Sequence, residues 1–382
     1  MKPRVVILTE IIAPYRIPVF NALAQRDDLD PHVIFLSETD PSLRQWTIYK
    51  EEIGFSYEVL PAWRRRIGKY NLLLNWGLSH ALEKIHPNAV LCGGYSYVSS
   101  WIAAFWAQRH RVPLLLWSES TAGDMRGRRH TVEFLKSRFL QRCDGYVVAG
   151  KSSFSYLVTL GVPEQRIFTA PNAVDVDFFS RATRRSRNGS DARRKLSLPD
   201  RYFIYAGRLV TAKGIFELLE AYATLDSALR SEVGLVFVGD GQDKAELVAR
   251  ASRITPGLVR LMGFKQREEL AAFYALSEAM ILPTRSDPWG LVVNEAMACG
   301  LPIITTNVAG CAADLVENGW NGFIVPPNDV GALSSAMCCL ATNAELRKRM
   351  SLRSAERIQA YSPQRWAAGL AQAVESSCTR VA

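Results

Sequence analysis

No two of the seven cysteines in this 382-residue sequence stand at C-x-x-C spacing, and their number is odd. That argues against a zinc cluster and against a disulfide framework, so the thiols read as reduced and cytosolic. The opening residues, MKPRVVILTE, lack the long apolar core of a signal peptide, which fits a cytoplasmic location. No repeat at short period is present, which excludes a solenoid. Charged residues are 22% and apolar residues 48%, ordinary values that exclude a disordered chain, a collagen-like repeat and a coiled coil. The balance of 46 basic against 37 acidic residues gives +9, without the basic arm of a dedicated nucleic-acid binder. Charge itself is missing from 19 residues, 89–107. That stretch divides into a short strand, a Gly-Gly loop and an aromatic-rich helix. This favours a buried strand-loop-helix over a membrane span.

What the sequence does have is alternation. Apolar runs suited to buried parallel strands occur in RVVILTE, HVIFLSE, NAVLCGG, VPLLLW and GYVVAG, with helical patterns between them. A second series follows in YFIYAGRL, GLVFVGDG, LVRLMGF, AMILPT and LPIITT. This implies α/β architecture with parallel sheets covered on both faces. Between the series, residues 181–195 hold seven basic residues and one acid, and read as an exposed linker. The expected domains are 1–178, a basic linker at 179–199, 200–361, and a C-terminal helix at 362–382 returning to the first domain. Ligands of such sheets bind beyond the carboxyl ends of the strands, so two facing sheets would share a cleft.

Three segments just after strands carry chemistry. In YAGRLVTAKGIF, Gly207 ends a strand, and Arg208 and Lys213 precede a helix opening near Gly214. Two cations beside a helix N-terminus suit a diphosphate; a solvated basic loop is the bland alternative. In VGDGQD, Gly239 and Gly241 permit close backbone approach to a ligand, though glycine turns are common. In PTRSDPWGLVVNEAMACGLP, Asp287 and Glu295 bracket a loop and helix start. Their carboxylates can accept from sugar hydroxyls, while the N–H groups of Gly290, Leu291 and Val292 are placed to take a phosphate. A single acid at a helix start is more often a cap.

Taken together, Gly207-Arg208-Leu209, Lys213-Gly214 and Glu295-Ala296-Met297-Ala298-Cys299-Gly300-Leu301-Pro302 resemble the retaining nucleotide-sugar glycosyltransferases of the GT-B fold, in the large family numbered four. The resemblance covers about 202–327. It implies two Rossmann-like doubly wound domains facing across a cleft, with Arg208 and Lys213 as the diphosphate clamp. It implies that Glu295 binds the donor ribose and that Asp287 contacts the transferred sugar, aspartate standing where glutamate is usual. Trp289 stands at the usual phenylalanine position, Gly290 and Leu291 would give backbone contacts, and Met262-Gly263-Phe264 resembles the base-binding turn. APNAVDVDFF resembles the P-N-G-V-D segment, with Asn172 on the donor side and Ala173 replacing glycine. Its triplet Asp175-Val176-Asp177 matches this segment better than a metal site, so no metal and no cofactor beyond the nucleotide-sugar co-substrate is expected.

The first half speaks less clearly. TEIIAPYRIPVF resembles a subset of the family with P-Y-R-(I/V)-P, and Glu10, Tyr15 and Arg16 follow the first strand. Glu119 stands where many relatives carry a histidine near the donor sugar; it would hold a sugar hydroxyl or the acceptor, or simply cap a helix. His130 reads as a surface histidine. Residues 60–150 carry 13 basic and five acidic residues, and 1–59 six basic and nine acidic. The clusters at 63–70 and 126–130 suit an anionic bilayer or are solvated faces; no nucleic-acid motif accompanies them.

The expected function is sugar transfer from a UDP- or GDP-sugar to a hydroxyl of a glycan or a polyprenyl-diphosphate-linked acceptor, with retention, in polysaccharide or glycolipid synthesis at the inner face of the membrane. A small-molecule acceptor, a sugar phosphorylase or epimerase, and a non-enzymatic membrane- or nucleic-acid-binding protein are the other readings.

Overall fold

The computed structural model describes residues 2–40, 46–67, 70–124, 130–188, 192–254 and 258–381. The chain divides into two compact units, residues 1–174 with 362–382, and residues 175–361.

The first unit is built on a seven-stranded sheet. Its strands are β1 (Arg4–Thr9), β2 (Asp30–Phe35), β3 (Ser56–Val59), β6 (Ala89–Cys92), β7 (Leu114–Ser118), β8 (Gly145–Val148) and β9 (Ile167–Thr169). Their order is β3-β2-β1-β6-β7-β8-β9, and every neighbouring pair is parallel. Both faces are buried, which is why the strands read as unbroken apolar runs. Side chains alternate between two cores. Val6, Leu8, Val90 and Leu116 join one, with helices Leu78–Ile85 and Val98–His110; Val5, Ile7, Leu91 and Trp117 join the other. The second core is closed by helices Ile17–Ala24 and Pro363–Val381. In it Trp366 lies 5.7 Å from Phe20 and 5.1 Å from Trp117, ring centre to ring centre. Gly369 lets the last helix approach β9 so closely that a Cβ there would stand 2.2 Å from the Thr169 carbonyl oxygen.

A hairpin, β4 (Ala62–Ile67) with β5 (Tyr70–Asn75), lies outside this sheet. The cations of 63–70 do not all face outward. Arg64 in fact turns inward and pairs with Asp40, an acid only 2% exposed, and with Glu10 at 3.4 Å. Less of the segment's charge is therefore offered to a surface than the residue count implied. Residues 68–69 and 126–129 lie outside the described residues, as do the side chains of Arg66 and His130.

The second unit holds β10 (Arg201–Ala206), β11 (Val233–Val238), β12 (Val259–Leu261), β13 (Ala279–Leu282), β14 (Ile303–Thr306) and β15 (Gly322–Val325). The order is β12-β11-β10-β13-β14-β15, again all parallel. The expected exposed linker differs most from what forms. Val176–Asn188 is a helix, capped where Asp175 Oδ1 accepts from the Phe178 N–H at 2.8 Å. Val176, Phe179 and Thr183 are buried along it. Arg187 reaches the carbonyl ends of two neighbouring helices, at Ala275 O (3.0 Å) and Cys299 O (3.5 Å). The arginine count hid an amphipathic helix.

Among the described residues no helix is long and apolar enough to cross a membrane, and no three His, Cys, Asp or Glu side chains are grouped as metal ligands would be.

Candidate functional site

In each sheet the strand order reverses beside the first strand, between β1 and β6 and between β10 and β13. The loops leaving such a pair diverge and leave room for a ligand. Almost every residue singled out above lies on these loops or on those next to them.

In the second unit the loop after β10 carries Gly207, Arg208 and Lys213, and the loop after β13 runs from Pro283 to Gly290. The two are tied together. The Arg285 N–H donates to Ala212 O at 3.0 Å and Thr284 Oγ1 to the same oxygen at 3.3 Å. Gly214, at φ +71°, permits this approach, since a Cβ there would lie 1.9 Å from the Pro283 carbonyl oxygen. Lys213 Nζ thereby comes within 2.5 Å of Asp287 Oδ2 and 3.2 Å of Ser286 O. Both side chains are largely shielded. Arg208 is exposed, and its guanidinium has no hydrogen-bond or ion-pair partner among the described residues.

Asp287 is held by its backbone. It forms a bridge with Ala309, and its carbonyl accepts from the Gly310 N–H at 2.9 Å. The helix Leu291–Ala298 begins four residues after it, capped by Gly290 at φ +93°. The Gly290, Leu291 and Val292 N–H groups have no acceptor among the described residues. They are the open donors that an anion would meet.

Glu295 lies on this helix, half-buried, and the Tyr274 hydroxyl donates to its Oε2 at 3.0 Å. Burial pushes the Glu295 carboxyl up to about 7, with the Tyr274 bond opposing the shift. Nothing in the sequence pointed to Tyr274, which comes from helix Arg267–Leu276, on a different element.

Several glycines serve the scaffold. A Cβ at Gly239 would stand 1.9 Å from the Gly207 oxygen, and one at Gly241 2.3 Å from the Leu209 oxygen. The close approach they allow is to the neighbouring loop. Trp289 turns its side chain into the core. Its ring is 4% exposed and its Nε1–H donates to Asn294 Oδ1 at 2.8 Å. The indole is a core group. Beyond β12, Met262 and Gly263 are half-buried and Phe264 is 39% exposed. Gly263 O accepts from the Gly239 N–H at 2.8 Å, setting this turn beside the loop after β11.

The first unit gathers its own cluster after β1. Arg16 donates to Thr9 Oγ1 at 2.9 Å, pairs with Glu119 at 3.5 Å, and stacks 4.2 Å over the Trp117 ring. Glu119 is thus tied to Arg16. Glu10 meets Arg64 and accepts from the Tyr97 hydroxyl, whose acidity is suppressed first by burial and then by that carboxylate. Tyr15 is exposed and meets Trp46 edge-on at 5.6 Å. Asn172 is buried, its N–H donating to Ala149 O at 3.3 Å. Asp40, Arg64 and Tyr97 were not foreseen, because their partners are distant in sequence.

Two family models match: glycosyl transferases group 1 over residues 188–357, and glycosyltransferase family 4 over residues 20–178. The glycogen synthase of Mycobacterium tuberculosis is 28% identical over 279 residues, 72% of this chain and 61% of that protein. The O-antigen chain mannosyltransferase B of Escherichia coli is 32% identical over 138 residues, 35% of each chain. The matched parts span between about a third and three fifths of these relatives' lengths. Among solved structures, Anabaena HepE in complex with UDP superposes with a TM-score of 0.77 at 17% identity, covering 98% of this chain and 100% of that one. With two parallel Rossmann-like sheets and both family models matched in order, the chain belongs to the group 1 glycosyl transferases of family 4 and has the GT-B fold.

Proposed function

We propose that this protein transfers a sugar from a nucleoside-diphosphate sugar to a hydroxyl group of a glycan or lipid-linked glycan. The observation that carries this reading is the convergence, at one topological switch point, of Lys213, Arg208 and the open N–H groups of Gly290, Leu291 and Val292, with Glu295 farther along the same helix. Cations and amide donors face the charge that grows on a departing diphosphate. Glu295 is assigned to the ribose hydroxyls and Asp287 to the transferred sugar. Nucleotide-sugar donors are also supported by the UDP carried by the Anabaena neighbour, and a glycan acceptor by the names of the two relatives.

Transfer with retention follows from a front-face displacement. The anomeric C–O bond to the diphosphate breaks as the acceptor oxygen bonds to the same face, and the acceptor's proton passes to the leaving phosphate oxygen. Arg208 and Lys213 hold that oxygen's charge throughout. Glu10, Arg16 and Glu119 in the first unit are assigned to the acceptor.

The test is thermal stabilisation against UDP-, GDP-, ADP- and dTDP-sugars, followed by nucleoside-diphosphate release with and without acceptor. A donor bound only by the folded state at about 100 times its Kd adds about 2.7 kcal/mol. Release only when a hydroxyl acceptor is added supports transfer. Release driven by inorganic phosphate, or interconversion of the donor without release, replaces it with a phosphorylase or an epimerase.

A further inference from the structure

The uncharged run 89–107 ends in the helix Val98–His110, which is apolar on both sides. Ser99, Ser100, Ala103, Ala104, Trp106 and Ala107 are buried. The opposite stripe is Val98, Trp101, Ile102 and Phe105, at i, i+3, i+4 and i+7. Val98 is 47% and Phe105 54% exposed, with Trp101 and Ile102 half-buried. A surface helix of a soluble domain turns polar residues outward, and over its first two turns this one does not.

The stripe continues onto helix His130–Leu140, where Phe134 is 59% and Leu135 50% exposed. Trp101 joins the helices, its ring 5.2 Å from Phe139. Cations sit against the rings. Arg142 is 5.2 Å from the centre of Phe105 and 5.7 Å from Trp101, and Arg138 is 5.4 Å from Phe134. Arg109 and Arg111 are exposed at the end of the first helix. That helix contains no acid, and the second contains only Glu133.

We propose that helices Val98–His110 and His130–Leu140 form an interfacial face that seats the first unit on an anionic lipid bilayer. Exposed rings at the centre match the headgroup–acyl boundary, and arginines at the rim reach the phosphates while their stems cover apolar surface. A second copy of the chain fits less well, because a two-fold contact sets a patch against itself and brings arginine against arginine. The helix meets the hairpin on its buried side, where Ser99 Oγ donates to Asn75 Oδ1 at 2.9 Å, and the proposal stands whichever donor or acceptor the protein uses.

The test is co-sedimentation of the full chain with vesicles of phosphatidylcholine alone or mixed with phosphatidylglycerol. Wild type should bind the mixed vesicles preferentially and release as salt rises. Phe105→Ser with Phe134→Ser should lower binding to both vesicles at least tenfold with the unfolding temperature unchanged. Arg109→Glu and Arg138→Glu should each weaken binding to the mixed vesicles about fivefold or more. Arg65→Glu, on the hairpin, should leave binding as it was. The proposal is overturned if wild type ignores anionic vesicles, or if the phenylalanine variants bind as wild type. It is equally overturned if Arg65→Glu alone abolishes binding. A concentration-dependent dimer lost in the phenylalanine variants, without vesicle binding, would assign the face to a second copy instead.

Discussion

Lys213 Nζ lies 2.5 Å from the carboxylate of Asp287, 74 residues further along the chain. The cation assigned to the diphosphate is therefore already neutralised by the acid assigned to the sugar. Donor binding has to draw Lys213 toward phosphate while Asp287 is released to hydroxyls. Lys213→Ala should weaken donor binding and lower kcat/KM by at least about 10²-fold. Asp287→Ala should also lower turnover but leave UDP or GDP bound as tightly as before or more tightly, since Lys213 is then unopposed. Paired isothermal titration and rate measurements separate the two. Equal loss of nucleotide affinity in both variants would refute this division of labour.

Glu295 should make stability depend on pH. Its folded-state value of about 7 lies above the ordinary 4.5, so between those values the folded state holds a proton that the unfolded chain has lost. Its contribution is complete below about 4.5 and is lost as pH rises through about 7, a change on the order of 3 kcal/mol. Glu295→Gln should flatten that part of the pH–stability profile, read by urea unfolding from about pH 5 to about pH 8. It should also lower turnover at least about 10²-fold, as the loss of one preorganised contact does.

Trp289 and Asn294 should be energetically coupled. The buried indole N–H has Asn294 Oδ1 as its acceptor, and removing an acceptor costs about 1–3 kcal/mol. Asn294→Ala should cost that much in wild type and clearly less in a Trp289→Phe background. A double-mutant cycle with no coupling would show that the bond contributes nothing.

Gly214→Ala should damage the site without touching its chemistry. The added methyl meets the Pro283 carbonyl at a left-handed φ, and both problems strain the loop. The expected result is a lower unfolding temperature together with weaker nucleotide binding, measured by differential scanning fluorimetry with and without donor.

The central strands were legible because burial on both faces leaves an unbroken apolar run, as in RVVILT and VGLVFV. Three of the four edge strands and the hairpin were not, while the fourth, Val259–Leu261, showed in LVRLMGF. SYEV, IFT and GFIV are only three or four residues long. The hairpin strand AWRRRI reads as a charge cluster until Asp40 is seen opposite Arg64. The helix Val176–Asn188 was hidden in the same way, since its inward positions are few and its outward ones are arginines. At the site, residues that follow a strand directly could be found from the sequence. Tyr274 and Asn294 could not, because they act through a neighbour placed by tertiary packing. Trp289 is the reverse case, standing on a site loop while its ring belongs to the core.

The first unit is assembled from the two ends of the chain, with the second unit's residues 175–361 inserted between them. On a ribosome, β1 to β9 emerge long before Trp366, the residue that fills the space beside Phe20 and Trp117. At ordinary translation speeds of about 5–20 residues per second, the intervening unit takes roughly 10–40 s to synthesise. For that interval the nascent first unit exposes the face that the last helix will cover. The continuous second unit can close its own core beforehand. Order of synthesis and order of completion thus differ in this protein: the unit that begins first is completed last.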